Sequence, residues 1–243
     1  MQREQRRMRK LQMFLLDLLY PNFCPCCGKI LNWWEYLCTA CRSELHELEK
    51  EFCPRCGNLQ IECTCETEPI YDRAVVLAVY ADAAKRGVLS LKKAESLSFG
   101  WYCAENLSKR ILQDATLQSY DCVVPVPMAK TKKRKRFCNP AAVLAKEISR
   151  LTRIPLRTDL LWDDGTGKQQ HTLAAKERTD NLSQFHIYTT DLTGYRVLLC
   201  DDVLTTGSTM NCCAGLLKSQ GVAEVAAISM TSTVLERSGK DEI

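Results

Sequence analysis

The sequence predicts an α/β fold, a parallel sheet flanked by helices, preceded by a small cysteine-rich metal module. Three observations predict it. Apolar runs at residues 74–80, 122–126, 196–200 and 222–230 alternate with segments of helical periodicity. Nine of the 15 cysteines fall between residues 24 and 65. One run, Val197-Leu198-Leu199-Cys200-Asp201-Asp202-Val203-Leu204-Thr205-Thr206-Gly207-Ser208-Thr209, joins a buried strand to two carboxylates and a hydroxyl-rich turn. At 243 residues and 46% hydrophobic content the chain can bury a full core beside the small module.

Residues 1–23 carry Arg and Lys followed by an apolar stretch, but Gln12 and Asp17 interrupt it and no small-residue cleavage site follows. The stretch is short of the roughly 20 apolar residues that cross a bilayer. Leu11, Phe14, Leu15, Leu18 and Leu19 fall at helical spacing, so an amphipathic helix over 1–20, packed on the protein's own surface, is expected. No membrane span and a cytoplasmic location follow as expectations.

The cysteines of 24–65 occur mostly in pairs at metal-ligand spacing, with no secretory signal to favour disulfides. Cys24, Cys27, Cys38 and Cys41 form one four-thiolate set, with Cys26 a bystander. Cys53, Cys56, Cys63 and Cys65 form a second, in which only one residue separates the last pair. A Cys-x-x-Cys-Gly turn presents two thiolates to one metal, and four thiolates close a tetrahedral Zn2+ site. The expectation is a double zinc module over 21–68 with a scaffolding role, its folding energy supplied largely by the metal.

The second domain is expected over 69–243. Residues 83–95, 98–113, 140–151 and 208–219 read as helices between the strands. From about 157 to 190 the chain reads as a polar loop leading into strand Phe185-His186-Ile187, with Lys168, His171, Lys176 and Arg178 able to reach a pyrophosphate. Gly221 suits a helix stop.

The turn after the strand at 196–200 carries the chemistry. Gly207 lets backbone approach an anion closely, and the amides and hydroxyls of Thr205, Thr206, Ser208 and Thr209 can surround a phosphate at a helix start. Asp201 and Asp202 would repel that phosphate on contact, so they fit one ribose away, accepting from vicinal hydroxyls. The spacing encodes phosphate plus diol.

Net charge is +4, but residues 1–10 hold five basic groups against one acid and residues 130–136 hold six with none. The remainder is acidic, which excludes a uniformly basic, nucleic-acid-coating protein and points to local anion contacts. Lys130, Arg134 and Arg136 lie in that second patch.

The run at 197–209 closely resembles the phosphoribosyl-pyrophosphate (PRPP) signature of type I phosphoribosyltransferases. The resemblance implies ribose contacts from Asp201 and Asp202 and 5-phosphate contacts from Thr205, Thr206, Gly207, Ser208 and Thr209, with Mg2+ accompanying PRPP. The order of zinc module, Val124-Pro125-Val126-Pro127, basic segment, Arg178-x-x-Asn181 and this signature resembles the competence protein F family. It implies a double zinc ribbon before a type I phosphoribosyltransferase-like sheet, an association with natural transformation, single-stranded DNA and a DNA-uptake helicase as partners, and a characteristic lysine at Lys92. The family's Arg-x-Arg-Gly-aromatic-Asn-Gln element appears here as Arg134-Lys135-Arg136-Phe137-Cys138-Asn139-Pro140, lacking the glycine and the glutamine; its place after the Val-Pro-Val-Pro strand implies, by the resemblance, pyrophosphate or DNA phosphate contacts from Lys130, Arg134, Arg136 and Asn139. Three functions stay open: a PRPP-binding DNA-handling protein, an active transferase on a base or amine acceptor, and a zinc-ribbon interaction module on a degenerate enzyme domain. No catalytic residue is assigned.

Overall fold

A computed structural model describes residues 21–48, 69–93, 95–129, 138–166 and 184–233. The expected helix at 1–20, the second cysteine set, Lys130, Arg134, Arg136, Lys168, His171, Lys176, Arg178 and Asn181 lie outside the described residues.

The chain enters through a hairpin, β1 (Asn22–Phe23) antiparallel to β2 (Ile30–Leu31), then a short helix α1 (Thr39–Ser43). Strand β3 (Arg73–Val79) begins the main sheet, followed by α2 (Asp82–Lys92), α3 (Ser98–Gln113), α4 (Ala115–Gln118) and β4 (Cys122–Pro125). Helix α5 (Pro140–Thr152) precedes a small antiparallel pair, β5 (Leu161–Asp163) with β6 (Phe185–Ile187). Strand β7 (Arg196–Leu204), α6 (Ser208–Ser219) and β8 (Glu224–Ser232) complete the described chain. Among the described residues β3, β8, β7 and β4 lie side by side in that order, all parallel.

Parallel strands bury both faces, so their sequences are continuously apolar. In β7 the pleat sends alternate side chains to opposite layers. Leu198 and Cys200 join a cluster with Val88 and Leu91 of α2, Leu107 of α3 and Leu144 of α5. Val197 and Leu199 join another with Met210, Cys213 and Leu217 of α6 and with Leu161 and Phe185. The sheet is therefore sandwiched, with α2, α3 and α5 on one face and α6 with the β5–β6 pair on the other.

The cysteine module is continuous with the first of these layers. Cys24, Cys38 and Cys41 share their cluster with Leu77 and Leu198. The backbone joins them as well: Leu48 N donates to Leu77 O at 2.7 Å and Val79 N to His46 O at 3.0 Å.

Two expectations change. The acid pair lies inside β7 rather than after it, because the parallel ladder to β8 runs on through Asp201 opposite Ser229 and Val203 opposite Thr231. Part of the expected loop at 157–190 is β5, held by pairing with β6. Gly221 follows α6 with φ of 90°, in the left-handed region.

Candidate functional site

The carboxyl end of β7 places the carboxylates and the turn side by side. Asp202 faces Lys92 of α2 and Asp201 lies near Cys213 of α6; strict alternation lapses at this strand end, where Val203 packs with the Leu198 cluster and Leu204 with the Leu199 cluster. Lys92, in the last turn of α2, reaches Asp202: its Nζ is 2.8 Å from Asp202 Oδ2, with both side chains mostly covered. Asp202 is fixed through its backbone too, its N donating to Asp201 Oδ1 at 2.8 Å and its O accepting from Thr231 Oγ1 at 3.2 Å. Burial first, then the adjacent Asp202 carboxylate, pushes the Asp201 carboxyl well above the usual carboxylate range.

Beyond the pair the chain bends through the exposed Thr205 and Thr206 to Gly207, whose φ of 75° lies in the left-handed region. A Cβ there would stand 3.3 Å from the buried Tyr71 Oη, so Gly207 is required by both backbone conformation and close approach. Helix α6 starts at Ser208 with no side-chain cap, which leaves first-turn amides available to an anion. Thr206 Oγ1 and Ser208 Oγ lie 2.8 Å apart across the turn. Asn211, one turn into α6, accepts from Ile70 N through Oδ1 at 2.8 Å and donates its own N to Gly207 O at 2.7 Å. Residues 70 and 71, just ahead of β3, thus brace the turn, a contribution with no local signature in the sequence.

Beside β7, β4 ends in Val124-Pro125, and Val126 N donates to Cys200 O at 2.8 Å. Asn139 caps α5: its Oδ1 accepts from Ala141 N at 3.1 Å while its Nδ2 donates to Val126 O at 2.9 Å. Asn139 thus ties the helix start to the Val-Pro-Val-Pro segment. On the far layer Trp162 stacks on His186 with centroids 4.3 Å apart, and the His186 ring nitrogen Nε2 pairs with Asp164 Oδ2 at 2.8 Å. That hydrogen bond, then those from Thr166, lowers the Asp164 carboxyl to about 2.

The first cysteine set assembles as the spacing predicts. The sulfurs of Cys24, Cys27, Cys38 and Cys41 all lie within 4.8 Å of one another. The Cys27 and Cys38 sulfurs are 3.7 Å apart, close to the edge of about 3.8 Å for a tetrahedron with Zn–S bonds of about 2.3 Å. Four thiols, three of them buried, fit Zn2+ in a closed structural site. Cys26 stands outside the set; burial, then the Cys24 sulfur, pushes its thiol up to about 12. The knuckle closes through Gly28, which donates to Cys24 O at 2.8 Å with φ of 73°. Among the described residues no helix is long and apolar enough to cross a membrane.

Comparison with known proteins agrees with this two-part architecture. A double zinc ribbon domain model matches residues 15–71, and a phosphoribosyl transferase domain model matches residues 141–240. Competence protein F of Haemophilus influenzae is 27% identical over 224 residues, covering 81% of this chain and 96% of that protein. DNA utilization protein YhgH of Escherichia coli K12 is 26% identical over 228 residues, covering 89% of this chain and 100% of that protein. Among solved structures, adenine phosphoribosyltransferase from Leishmania tarentolae aligns with a TM-score of 0.40 at 19% identity, over 64% of this chain and 68% of that one.

Proposed function

We propose that this chain, a homologue of competence protein F with a double zinc ribbon and a phosphoribosyl transferase domain, binds PRPP at the carboxyl end of β7 and serves DNA uptake. The observation that carries this reading is the adjacency of two chemistries on one strand end. Asp201 and Asp202 offer carboxylate oxygens suited to ribose hydroxyls, and the left-handed turn at Gly207 opens an uncapped helix start suited to a phosphate. Thr205, Thr206, Ser208 and Thr209 add hydroxyl donors around that phosphate.

Mg2+ would enter with PRPP, bound to the pyrophosphate, whose remaining charge calls for cations; Lys130, Arg134, Arg136 and Arg178 are the proposed suppliers. Lys92 holds Asp202 in place from below. In transferase chemistry the protein's share is to orient a nucleophile at the anomeric carbon and to stabilise departing pyrophosphate.

The DNA role rests on the printed names of the relatives, which describe competence and DNA utilization, and on the basic run at 130–136. Single-stranded DNA in the cytoplasm, with a DNA-uptake helicase as partner, is the setting we propose. Isothermal calorimetry with PRPP and Mg2+ tests the central reading: saturable heat is expected for the wild type and its loss in Asp201→Asn/Asp202→Asn. Absence of binding by the wild type would leave the zinc-ribbon interaction module as the better account.

An active transferase is the second reading, favoured by the intact strand, acid pair and turn. Release of pyrophosphate from PRPP in the presence of one member of a panel of bases and amines would establish it.

A further inference from the structure

The zinc centre of the first cysteine set has a partner outside the ribbon. Arg86, in the middle of α2, donates from Nε to the carbonyl oxygen of Cys26 at 2.8 Å. That carbonyl belongs to the turn presenting Cys24 and Cys27. The Nη2 of the same guanidinium pairs with Glu44 Oε2, immediately after the helix α1 that carries Cys41, and the guanidinium also faces the Cys41 sulfur. One planar cation thus spans both halves of the four-cysteine set, engaging one through its backbone and the other through a carboxylate and a sulfur.

Two physical consequences follow. Four thiolates around Zn2+ carry a net charge of −2, and a cation beside them offsets part of it. Groups that orient metal ligands from outside the coordination sphere typically change metal affinity by about 10- to 100-fold when removed. The position of Arg86 is itself set by the sheet domain: the next residue, Gly87, lies so close under the Phe99 ring of α3 that an added Cβ would stand 2.3 Å from Phe99 Cδ2. The helix delivering the guanidinium is thus packed tightly on α3 as well as on the ribbon.

We propose that Arg86 is a positioning residue of the first zinc centre, so that this centre is completed by helix α2, which packs on the sheet, rather than by the ribbon alone. The inference does not depend on PRPP. Its test follows zinc release from the purified, zinc-loaded full chain to the chromogenic chelator 4-(2-pyridylazo)resorcinol, for wild type, Arg86→Gln, Arg86→Lys and Glu44→Gln, with far-UV circular dichroism alongside.

Arg86→Gln is expected to release one zinc equivalent about tenfold faster or more. Arg86→Lys should fall between it and the wild type, because it keeps the charge but loses the two-sided fork. Glu44→Gln, which loosens the guanidinium while leaving every cysteine contact, should accelerate release more modestly. In the Co2+-loaded protein the visible ligand-field bands of Arg86→Gln should shift from those of wild type. An Arg86→Gln protein that melts at a lower temperature yet releases zinc on the wild-type time course would overturn the proposal. If Arg86→Gln does not fold, wild-type release kinetics in Glu44→Gln together with Arg86→Lys would overturn it equally.

Discussion

Lys92 Nζ lies 2.8 Å from Asp202 Oδ2, joining the last turn of α2 to the carboxyl end of β7. Asp202 pairs with α2, whereas Asp201 lies near Cys213 of α6, so the two carboxylates have different neighbours although they are adjacent in sequence. A charge-assisted hydrogen bond between mostly covered groups orients Asp202 before any ligand arrives.

Replacing Lys92 with Met removes that bond and leaves Asp202 beside Asp201 without its cation. PRPP affinity measured by calorimetry is expected to fall by about tenfold, the equivalent of one such hydrogen bond at roughly 1.5 kcal/mol. Lys92→Arg should recover part of the loss. Wild-type affinity in Lys92→Met would show that Asp202 needs no orientation from α2.

Asp201 makes the site sensitive to pH in a stated direction. Burial and the Asp202 carboxylate raise its carboxyl in the folded chain, opposed in part by Lys92. The folded state therefore favours the protonated form. That contribution to stability is complete below the ordinary aspartate value of about 3.9 and is lost as pH climbs through the raised value. Thermal melts from pH 4 upward should show wild type losing stability with rising pH while Asp201→Asn stays flatter. On the alkaline side of that loss the variant is expected to melt higher than wild type while binding PRPP more weakly. A variant that melts lower throughout would contradict this.

Gly207→Ala tests the turn. Its left-handed φ of 75° would cost an L-residue about 1–2 kcal/mol, and the new Cβ would meet Tyr71 Oη at 3.3 Å. Urea unfolding should register that loss, and the distorted helix start should weaken PRPP binding. Combining it with Tyr71→Phe, which removes the opposing hydroxyl, should relieve the steric part alone.

Gly87→Ala probes the α2–α3 contact. The Phe99 ring would have to move from an atom 2.3 Å away, an overpacking worth about 1–3 kcal/mol in denaturant unfolding. Because α2 carries both Arg86 and Lys92, the variant should also release zinc faster and bind PRPP less tightly. An effect on stability alone would mean that α2 shifts without carrying either side chain from its partner.

Zinc removal should destabilise more than the ribbon. Cys24, Cys38 and Cys41 share one apolar cluster with Leu77 and Leu198 of the sheet. A chelator that strips the metal is therefore expected to lower the main melting transition, instead of producing a separate early transition for residues 21–48. Unchanged melting of the main transition after complete zinc loss would show that the two parts unfold independently.

What was legible in the residues is what is encoded by short spacing. Cys24, Cys27, Cys38 and Cys41 announce a metal site because one turn sets the distance between each pair of thiolates. The step from apolar strand to Thr205-Thr206-Gly207-Ser208-Thr209 announces a tight turn into a helix because Gly207 and the helix start are neighbours in the chain. Helix 98–113 was read with the bounds that the structure gives, since its apolar residues repeat at the helical period. Strand β5 was not legible: three residues carry too little pattern, and they become a strand only by pairing with β6 across the intervening segment. The extension of β7 through the acid pair likewise depends on hydrogen bonds to β8, which Asp201 and Asp202 do not signal.

The sequence by itself determined two local arrangements, thiolates at zinc spacing and a carboxylate pair ahead of a glycine turn into a helix, because each is set within a dozen or so residues. The tertiary structure alone decided their surroundings. It set Lys92 on Asp202, Arg86 on the Cys26 carbonyl and Tyr71 beneath Gly207, three contacts between elements far apart in the chain. Such contacts depend on how helices pack on the two faces of a pleated sheet, a geometry that exists only once the apolar layers have closed.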